Sequence, residues 1–171
     1  MSYAIITGGS KGIGKEIALQ LAERGYNLLL VARNSYELQQ VKEEIQKKYA
    51  LEVDYLVADL ADPSAVTTLY EWVLAKQIDL RILVNNAGYG LTGAVEEASM
   101  QEVRDQMETN FFGALAVTQS VLPVMRKQQS GHIVQISSQA GIAANPALGI
   151  YNASKFALEG FSEALYKELL P

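Results

Sequence analysis

Cysteine is missing from this sequence of 171 residues. Without thiols the chain can form neither a disulfide bond nor a thiolate metal site. The single histidine, His132, opens a predicted strand away from the other polar candidates. We therefore assign it a structural or surface role and expect no metal site.

Long apolar runs are also missing, and no stretch approaches the length needed to cross a bilayer. The sequence passes from Met1 directly into a strand-like segment. It lacks the basic stretch, apolar stretch and small-residue cleavage site that together mark a secretion signal. These absences predict a cytoplasmic protein with no membrane partner.

The sequence has no excess of positive charge, because 14 Lys and Arg face 19 Asp and Glu, giving a formal net charge of -5. Binding to nucleic acid depends mainly on neutralisation of phosphates by Lys and Arg, so we expect no nucleic-acid partner. Hydrophobic residues make up 49% of the chain, which is typical of a globular protein. The length and the lack of any linker predict one domain over residues 1–171.

Short apolar segments alternate with longer segments of helical period. Near-continuously apolar strands separated by helices predict a parallel sheet covered on both faces. The predicted fold class is therefore α/β, a doubly wound parallel sheet in three αβα layers. Helix starts are marked by Asp62 before Pro63 and by a capping box of Ser99 and Glu102. The predicted strands are YAIIT from Tyr3, NLLLVA from Asn27, VDYLVA from Val53, RILVN from Arg81 and HIVQIS from His132, and the helices cover about 12–24, 35–48, 63–76, 99–129 and 151–170.

A glycine-rich segment, TGGSKGIG from Thr7, connects the first strand to the first helix. Glycines at such a turn let the backbone approach a phosphate, and the free amides of the helix N-terminus then bind it. A turn without a ligand is the alternative. Gly9 to Lys15 also matches the G-x-x-x-x-G-K motif of nucleotide triphosphatases, but Glu16 stands where that motif needs Ser or Thr. The segment therefore favours a pyrophosphate ligand.

Five motifs occur in order: TGGSKGIG, NNAG at 85–88, Asn110, the serine pair at 137–138 and YNASK at 151–155. Together they resemble the short-chain dehydrogenase/reductase family over almost the whole chain. The resemblance implies a Rossmann fold and hydride transfer between a nicotinamide cofactor and a small-molecule carbonyl or alcohol. It also implies a homodimer or homotetramer formed through the helices at 99–129 and 151–170.

NADP(H) is the expected cofactor in preference to NAD(H). Rossmann enzymes select NAD with an acidic residue at the end of the second strand, whereas an arginine accommodates the 2′-phosphate of NADP. Here that position holds Ala32, followed by Arg33, and Lys11 supplies a second cation from the glycine-rich segment. Alternatively, both cations are solvated surface residues.

The resemblance also implies which residues contact the cofactor. Asp59 matches the position that contacts the adenine amino group, although it could instead be a turn or helix-cap residue. Asn85 belongs to the segment that stabilises the centre of the sheet. The implied cofactor-binding residues are Gly8, Ser10, Lys11, Gly12, Ile13, Gly14, Arg33, Asp59, Leu60, Asn86, Ala87, Gly88, Tyr151 and Lys155.

Tyr151 and Lys155 are four residues apart at the start of a predicted helix, which places them on one face. A phenol ordinarily titrates near pH 10, so an enzyme that uses one as an acid or base near neutrality needs a nearby positive charge to stabilise its anion. The resemblance assigns Ser138 to polarise the substrate carbonyl and Asn110 to hold a water for proton relay. Ser137 is the weaker serine candidate, and Asn110 could instead satisfy local backbone.

Two departures from the family pattern stand out. Two more residues lie between Asp79 and Asn85 than is common in the family, and we expect a surface adjustment there. Family members also continue beyond the position of Pro171 with further strands, helices and a substrate lid, so we expect the substrate pocket to be missing. The alternative function is a catalytically silent NADP(H)-binding or dimerisation module.

Overall fold

The computed structural model describes residues 2–170, and in them strands and helices alternate as the sequence predicts. The strands are β1 (Ser2–Thr7), β2 (Asn27–Ala32), β3 (Val53–Val57), β4 (Asp79–Asn85) and β5 (His132–Gln135). The α-helices are α1 (Gly12–Glu23), α2 (Ser35–Lys48), α3 (Pro63–Lys76), α4 (Met100–Met107), α5 (Gly113–Gln128) and α6 (Gly149–Glu168).

The five strands form one parallel sheet in the order β3-β2-β1-β4-β5. The chain therefore builds outward from β1 in one direction and then returns to add β4 and β5 on the other side. The strand order reverses between β1 and β4, and ligands of such sheets bind in the crevice at the carboxyl ends of these strands. The doubly wound fold and its Rossmann type are confirmed.

Side chains on the strands alternate between two apolar layers because successive residues of a strand point to opposite faces. Ile5 is aligned with Leu29 on β2 and Leu83 on β4, and all three pack against α3 and α5. Ile6, the next residue, belongs to the layer that packs against α1 and α2. Burial on both faces explains why the strands are apolar almost throughout, and it confirms the three-layer architecture.

Local sequence signals start several helices. Asp62 accepts a hydrogen bond from the Ser64 backbone amide at 2.9 Å, directly before Pro63 begins α3. Ser99 and Glu102 form the predicted capping box at the start of α4, with the Ser99 amide donating to the Glu102 carboxylate at 2.9 Å. The side chain of Asn34 caps α2. These caps satisfy amides that have no partner within the helix.

The helix predicted over residues 99–129 is not continuous. A π-helical turn at Glu108–Phe112 separates α4 from α5. Such a turn accommodates one extra residue, and it commonly occurs at functional sites. The sequence pattern could not reveal this turn, because the residues on both sides keep a helical period and residues 99–112 contain no Gly or Pro.

We expected the two added residues between Asp79 and Asn85 to form a surface adjustment, and this expectation is wrong. The extra residues lie within β4, whose Leu80 is fully buried. The pairing with β1 shifts register there, so that Leu80 and Ile82 oppose consecutive residues of β1 and Arg81 forms a bulge. The Arg81 guanidinium donates to the Asp79 carboxylate at 2.7 Å and to the Ser130 hydroxyl at 2.6 Å. The bulge thus accommodates one of the two added residues inside β4.

Residues 2–170 include no helix with both the length and the apolar character that a bilayer crossing requires. Over the same residues, His, Asp and Glu side chains form no cluster of three or more that could hold a metal ion. His132 is exposed at the start of β5.

We predict that Leu83→Ala lowers the free energy of unfolding by about 2–5 kcal/mol, because the side chain is fully buried in a close-packed layer. Leu74→Ala is the matched control, since Leu74 on α3 is 49% exposed and should cost less than about 1 kcal/mol. Urea unfolding followed by circular dichroism measures both. Equal losses in the two variants would contradict the placement of Leu83 in the core.

Candidate functional site

A cleft of about 830 Å³ opens at the carboxyl ends of β1, β2, β3 and β4. Most of the residues predicted to bind a cofactor line it. These are Gly8, Ser10, Lys11, Ile13, Arg33, Asp59, Leu60, Asn86, Ala87, Gly88, Tyr151 and Lys155. The predicted residues outside its lining are Gly12, Gly14, Asn110 and Ser138. The cleft also includes Asn34, Ser35, Glu37, Tyr89 and Ser137, and of these only Ser137 was considered from the sequence.

The glycine-rich segment forms the floor of the cleft. A Cβ at Gly14 would lie 2.2 Å from the carbonyl oxygen of Gly8 and 2.5 Å from the Asn86 amide nitrogen, so α1 begins too close to the segment for any side chain. Gly8 and Gly12 have φ values of +65° and +54°, which favour glycine. Lys11 at the N-cap makes no side-chain capping bond among the described residues. The first amides of α1 are therefore available to an anion.

A network of hydrogen bonds joins the ends of β1 and β4. The Thr7 hydroxyl accepts from the backbone amides of Asn86 and Ala87, each at 3.0 Å. The Asn86 side-chain amide donates to the carbonyls of Thr7 at 3.0 Å and Gly8 at 3.2 Å. Because Thr7 begins the TGGSKGIG motif, its position in the sequence could have drawn attention to it.

Asn85 lies beneath this network and is buried. Its side-chain amide donates to the Thr118 hydroxyl at 2.9 Å and to the Ala114 carbonyl at 3.3 Å, both on α5. The residue connects the end of a central strand to a helix packed against the sheet. This geometry matches the structural role that the family resemblance implies for it.

Charged residues surround the outer end of the cleft. Arg33 lies 3.8 Å from the Asp59 carboxylate, and both side chains are well exposed. An exposed ion pair of this kind contributes little to stability, so either partner can turn toward a ligand. The other oxygen of Asp59 accepts from the Ala61 amide at 3.1 Å, so Asp59 also has the turn role considered as its alternative.

Lys155 is only 5% exposed, an unusual environment for a charged side chain. Its ammonium donates to the Ile136 carbonyl at 2.8 Å and lies 5.8 Å from the centroid of the Tyr151 ring. Burial lowers the pKa of the Lys155 ammonium, and the Glu159 carboxylate opposes that shift. The helix α6 thus places a desolvated cation next to a phenol at the wall of the cleft.

Asn110 lies in the π-helical turn and is buried. Its amide group donates to the Tyr89 carbonyl at 2.8 Å and to the Ser154 hydroxyl at 3.0 Å, while its oxygen accepts from the Tyr89 amide at 3.0 Å. The Ser154 hydroxyl in turn donates to the Tyr151 carbonyl at 2.8 Å. Asn110 therefore connects the loop after β4 to the helix that carries Tyr151 and Lys155.

Gly88 separates Asn110 from Lys155. A Cβ at this position would lie 3.1 Å from the Asn110 side-chain oxygen and 3.8 Å from the Lys155 ammonium. A side chain at this position would therefore crowd both Asn110 and Lys155. Sequence reasoning had not identified the supporting residues Ser154 and Gln106. The latter is fully buried and donates to the Tyr89 carbonyl at 2.9 Å.

The two serines after β5 differ in their surroundings. The Ser138 hydroxyl accepts from the Ala140 amide at 3.1 Å and caps the short 3-10 turn at Gln139–Gly141. Ser137 lines the cleft, and its buried hydroxyl has no hydrogen-bond partner among residues 2–170. The assignment of Ser138 to the substrate carbonyl stays a prediction.

Comparisons with known proteins agree on one family. A family model described as short chain dehydrogenase matches residues 2–171. The chain is 41% identical over 167 residues to a 3-ketodihydrosphingosine reductase of Bacteroides thetaiotaomicron, in an alignment that covers 98% of this chain and 58% of the relative. This chain therefore spans less than two thirds of that relative's length.

Two solved structures show how closely the backbone follows the family. A metagenomic short-chain oxidoreductase in complex with NADP has a TM-score of 0.94 at 31% identity, covering 98% of this chain and 75% of that one. The L-sorbose reductase of Gluconobacter frateurii, complexed with NADPH and L-sorbose, has a TM-score of 0.94 at 32% identity, covering 98% of this chain and 64% of that one.

We predict that Gly14→Ala destabilises the protein by about 1–3 kcal/mol or more, because the added methyl group would overlap backbone atoms of Gly8. Gly160→Ala in α6 is the control, since a Cβ there has no neighbour within 4 Å. It should be neutral or stabilising by up to about 1 kcal/mol. Thermal unfolding compares the two variants. A Gly14→Ala variant as stable as the wild type would refute the tight approach of α1.

Proposed function

The chain belongs to the short-chain dehydrogenase family of oxidoreductases, and on this basis we propose that the protein is an NADP(H)-dependent enzyme of carbonyl and alcohol substrates. The observation that carries the proposal is the buried Lys155 ammonium beside the Tyr151 ring, at the wall of a cleft large enough for a dinucleotide. Burial of a charged group costs free energy, so such groups occur mainly at functional sites, where the reaction needs them.

The residues of the cleft fit a nicotinamide dinucleotide. The glycine-rich segment packs closely against the start of α1, and the free amides there suit a pyrophosphate. Asp59 lies at the end of β3, where its carboxylate can accept from an adenine amino group. Asn86, Ala87 and Gly88 also line the cleft and are available to the bound dinucleotide.

The cations of the cleft support a preference for NADP(H). Lys11 and Arg33 both line it, and Ala32 leaves no acidic side chain at the end of β2. Two positive groups near the ribose would stabilise a 2′-phosphate. NADP and NADPH are bound in the metagenomic and Gluconobacter structures, which supports the proposal by analogy.

When bound, the nicotinamide ring would supply or accept the hydride. In a reduction, the Tyr151 hydroxyl donates a proton to the substrate oxygen. The Lys155 ammonium stabilises the negative charge left on the phenol, and its burial strengthens that interaction because little water screens it. The Ser138 hydroxyl accepts from the Ala140 amide, and its own proton stays available to donate to the substrate carbonyl. Oxidation of an alcohol follows the same path in reverse.

Asn110 and Lys155 would return the proton to Tyr151. The Asn110 side chain is held by both backbone groups of Tyr89 and by Ser154, so its position is fixed relative to α6. A water beside Asn110 would connect the Lys155 ammonium to solvent. The same contacts also agree with the alternative, in which Asn110 only satisfies backbone groups. The proposed relay is supported by the position of Gly88, whose missing side chain would lie near both Asn110 and Lys155.

A carbonyl is the proposed substrate group. The Bacteroides relative is named as a reductase of a 3-keto compound and the Gluconobacter relative as a sorbose reductase. We further propose one dinucleotide-binding and catalytic domain that assembles as a homodimer or homotetramer through the helical segments at 99–129 and 151–170. The exposed Phe112 in the π-helical turn and the exposed Phe156 and Tyr166 on α6 support such an interface.

Calorimetric titration should give a Kd for NADPH at least about ten-fold below that for NADH, a difference of about 1.4 kcal/mol. Lys11→Ala and Arg33→Ala should each weaken NADPH binding more than NADH binding, because each removes one charge near the 2′-phosphate. Lys47→Ala, on α2 outside the lining of the cleft, is the control. Equal dissociation constants, or tighter binding of NADH, would contradict the proposed preference.

Tyr151→Phe should abolish NADPH-dependent turnover of a panel of ketones and aldehydes while NADPH affinity stays within a few-fold. Tyr166→Phe, an exposed position on the same helix, should keep the activity. The assay uses this chain and a chimera that adds the C-terminal segment of the Bacteroides relative. Turnover by the Tyr151 variant would refute the assignment. NADPH binding with no turnover in either protein would favour the catalytically silent module instead.

A further inference from the structure

We propose that Glu37 limits the preference for NADPH over NADH, by competing with the 2′-phosphate for the groups that would bind it. The inference rests on the proposed function, since it concerns the same cleft. It assigns to Glu37 a specificity role that opposes the roles of Lys11 and Arg33.

Contacts of the Glu37 carboxylate are the first observation. One oxygen accepts a hydrogen bond from the Ser10 hydroxyl at 2.9 Å, and the other lies 3.9 Å from the Lys11 ammonium. All three side chains line the cleft. The carboxylate therefore engages two of the groups expected to bind a phosphate, in the same place where that phosphate would lie.

The backbone around Glu37 holds its carboxylate near the cleft. Glu37 lies in the first turn of α2, and its amide donates to the Asn34 side chain at 3.1 Å. A negative charge is also favoured at this end of a helix. The Glu37 side chain is 33% exposed, whereas Lys11 is 80% exposed. The exposed Lys11 side chain can therefore change its contacts, whereas the less exposed Glu37 side chain is more restricted in its position.

The two cofactors would meet this carboxylate differently. A 2′-phosphate carries negative charge, so the Glu37 carboxylate repels it. To bind Ser10 and Lys11, the phosphate must also replace the contacts that these residues make with Glu37. NADH has a 2′-hydroxyl at that point, and a hydroxyl can donate a hydrogen bond to a carboxylate, as in Rossmann enzymes that select NAD. Glu37 therefore weakens NADPH binding and leaves NADH binding unchanged or slightly stronger.

The test is Glu37→Gln, which removes the charge and keeps an oxygen that can accept from Ser10. Calorimetry should show NADPH binding roughly 3- to 10-fold tighter than in the wild type. NADH affinity should stay within about two-fold or fall slightly, since a neutral amide is a weaker acceptor than a carboxylate. The gain for NADPH should shrink as ionic strength rises, because salt screens charges at a partly exposed site.

Glu43→Gln is the matched control. Glu43 is on the same helix, accepts from Gln39 at 2.7 Å and lies outside the lining of the cleft, and its substitution changes the net charge by the same amount. It should leave both affinities within about two-fold. Adenosine 2′,5′-bisphosphate and adenosine 5′-monophosphate isolate the effect, because only the first carries the 2′-phosphate. Glu37→Gln should tighten binding of the first alone.

Any one of the following results would overturn the inference. Weaker NADPH binding in Glu37→Gln would mean that the carboxylate positions Lys11 for the phosphate. An equal change for both cofactors would indicate an effect on the fold of the cleft, and an equal effect of Glu43→Gln would indicate net charge alone. If the wild type binds neither dinucleotide, the result counts against the proposed function. If the wild type prefers NADPH and Glu37→Gln has the same ratio of NADPH and NADH dissociation constants, the result counts against the role of Glu37 only.

Discussion

The cleft depends on the hydrogen bonds that join the ends of β1 and β4. These strands are neighbours in the sheet, but the chains that leave them go to opposite faces, one into α1 and one into the loop before α4. Thr7 and Asn86 hold the two departing segments together through their side chains. Gly14 then packs directly on this junction. This junction sets the relative positions of binding groups that come from distant parts of the sequence.

The second constraint is the buried Lys155. Its ammonium has three donors, and the hydrogen bond to the Ile136 carbonyl uses one of them. Burial without a paired carboxylate lowers the stability of the fold. A hydrophobic residue would pack there at lower cost, and the catalytic role that we propose for Lys155 would account for the charge. The hydrogen-bonded chain from Tyr89 through Asn110 and Ser154 to Tyr151 supplies rigidity around that cation.

Sequence reasoning predicted the alternation of strands and helices, because burial on both faces makes the strands apolar throughout. It also predicted most of the residues that line the cleft, from the glycine-rich segment, the strand ends and the resemblance to the family. It could not predict the π-helical turn at Glu108–Phe112, which leaves the apolar period on both sides intact, or the bulge at Arg81, which depends on pairing with β1. Glu37 was missed because it lies inside a helix of ordinary composition, and only the close approach of α2 to the glycine-rich segment brings it near Lys11.

The π-helical turn has a consequence for how the segment between β4 and β5 can change over evolution. Each residue of an α-helix turns the chain by about 100°, so one residue added or lost rotates everything beyond it to a different face. Helix α5 packs on α3 and β4, whereas α4 packs on α6. The turn at Glu108–Phe112 lies between them and lets each helix direct its apolar face to its own neighbours. Loss of one residue there would leave both helices intact and turn Asn110 away from Tyr89. The length of this stretch is therefore constrained, in addition to the identity of Asn110.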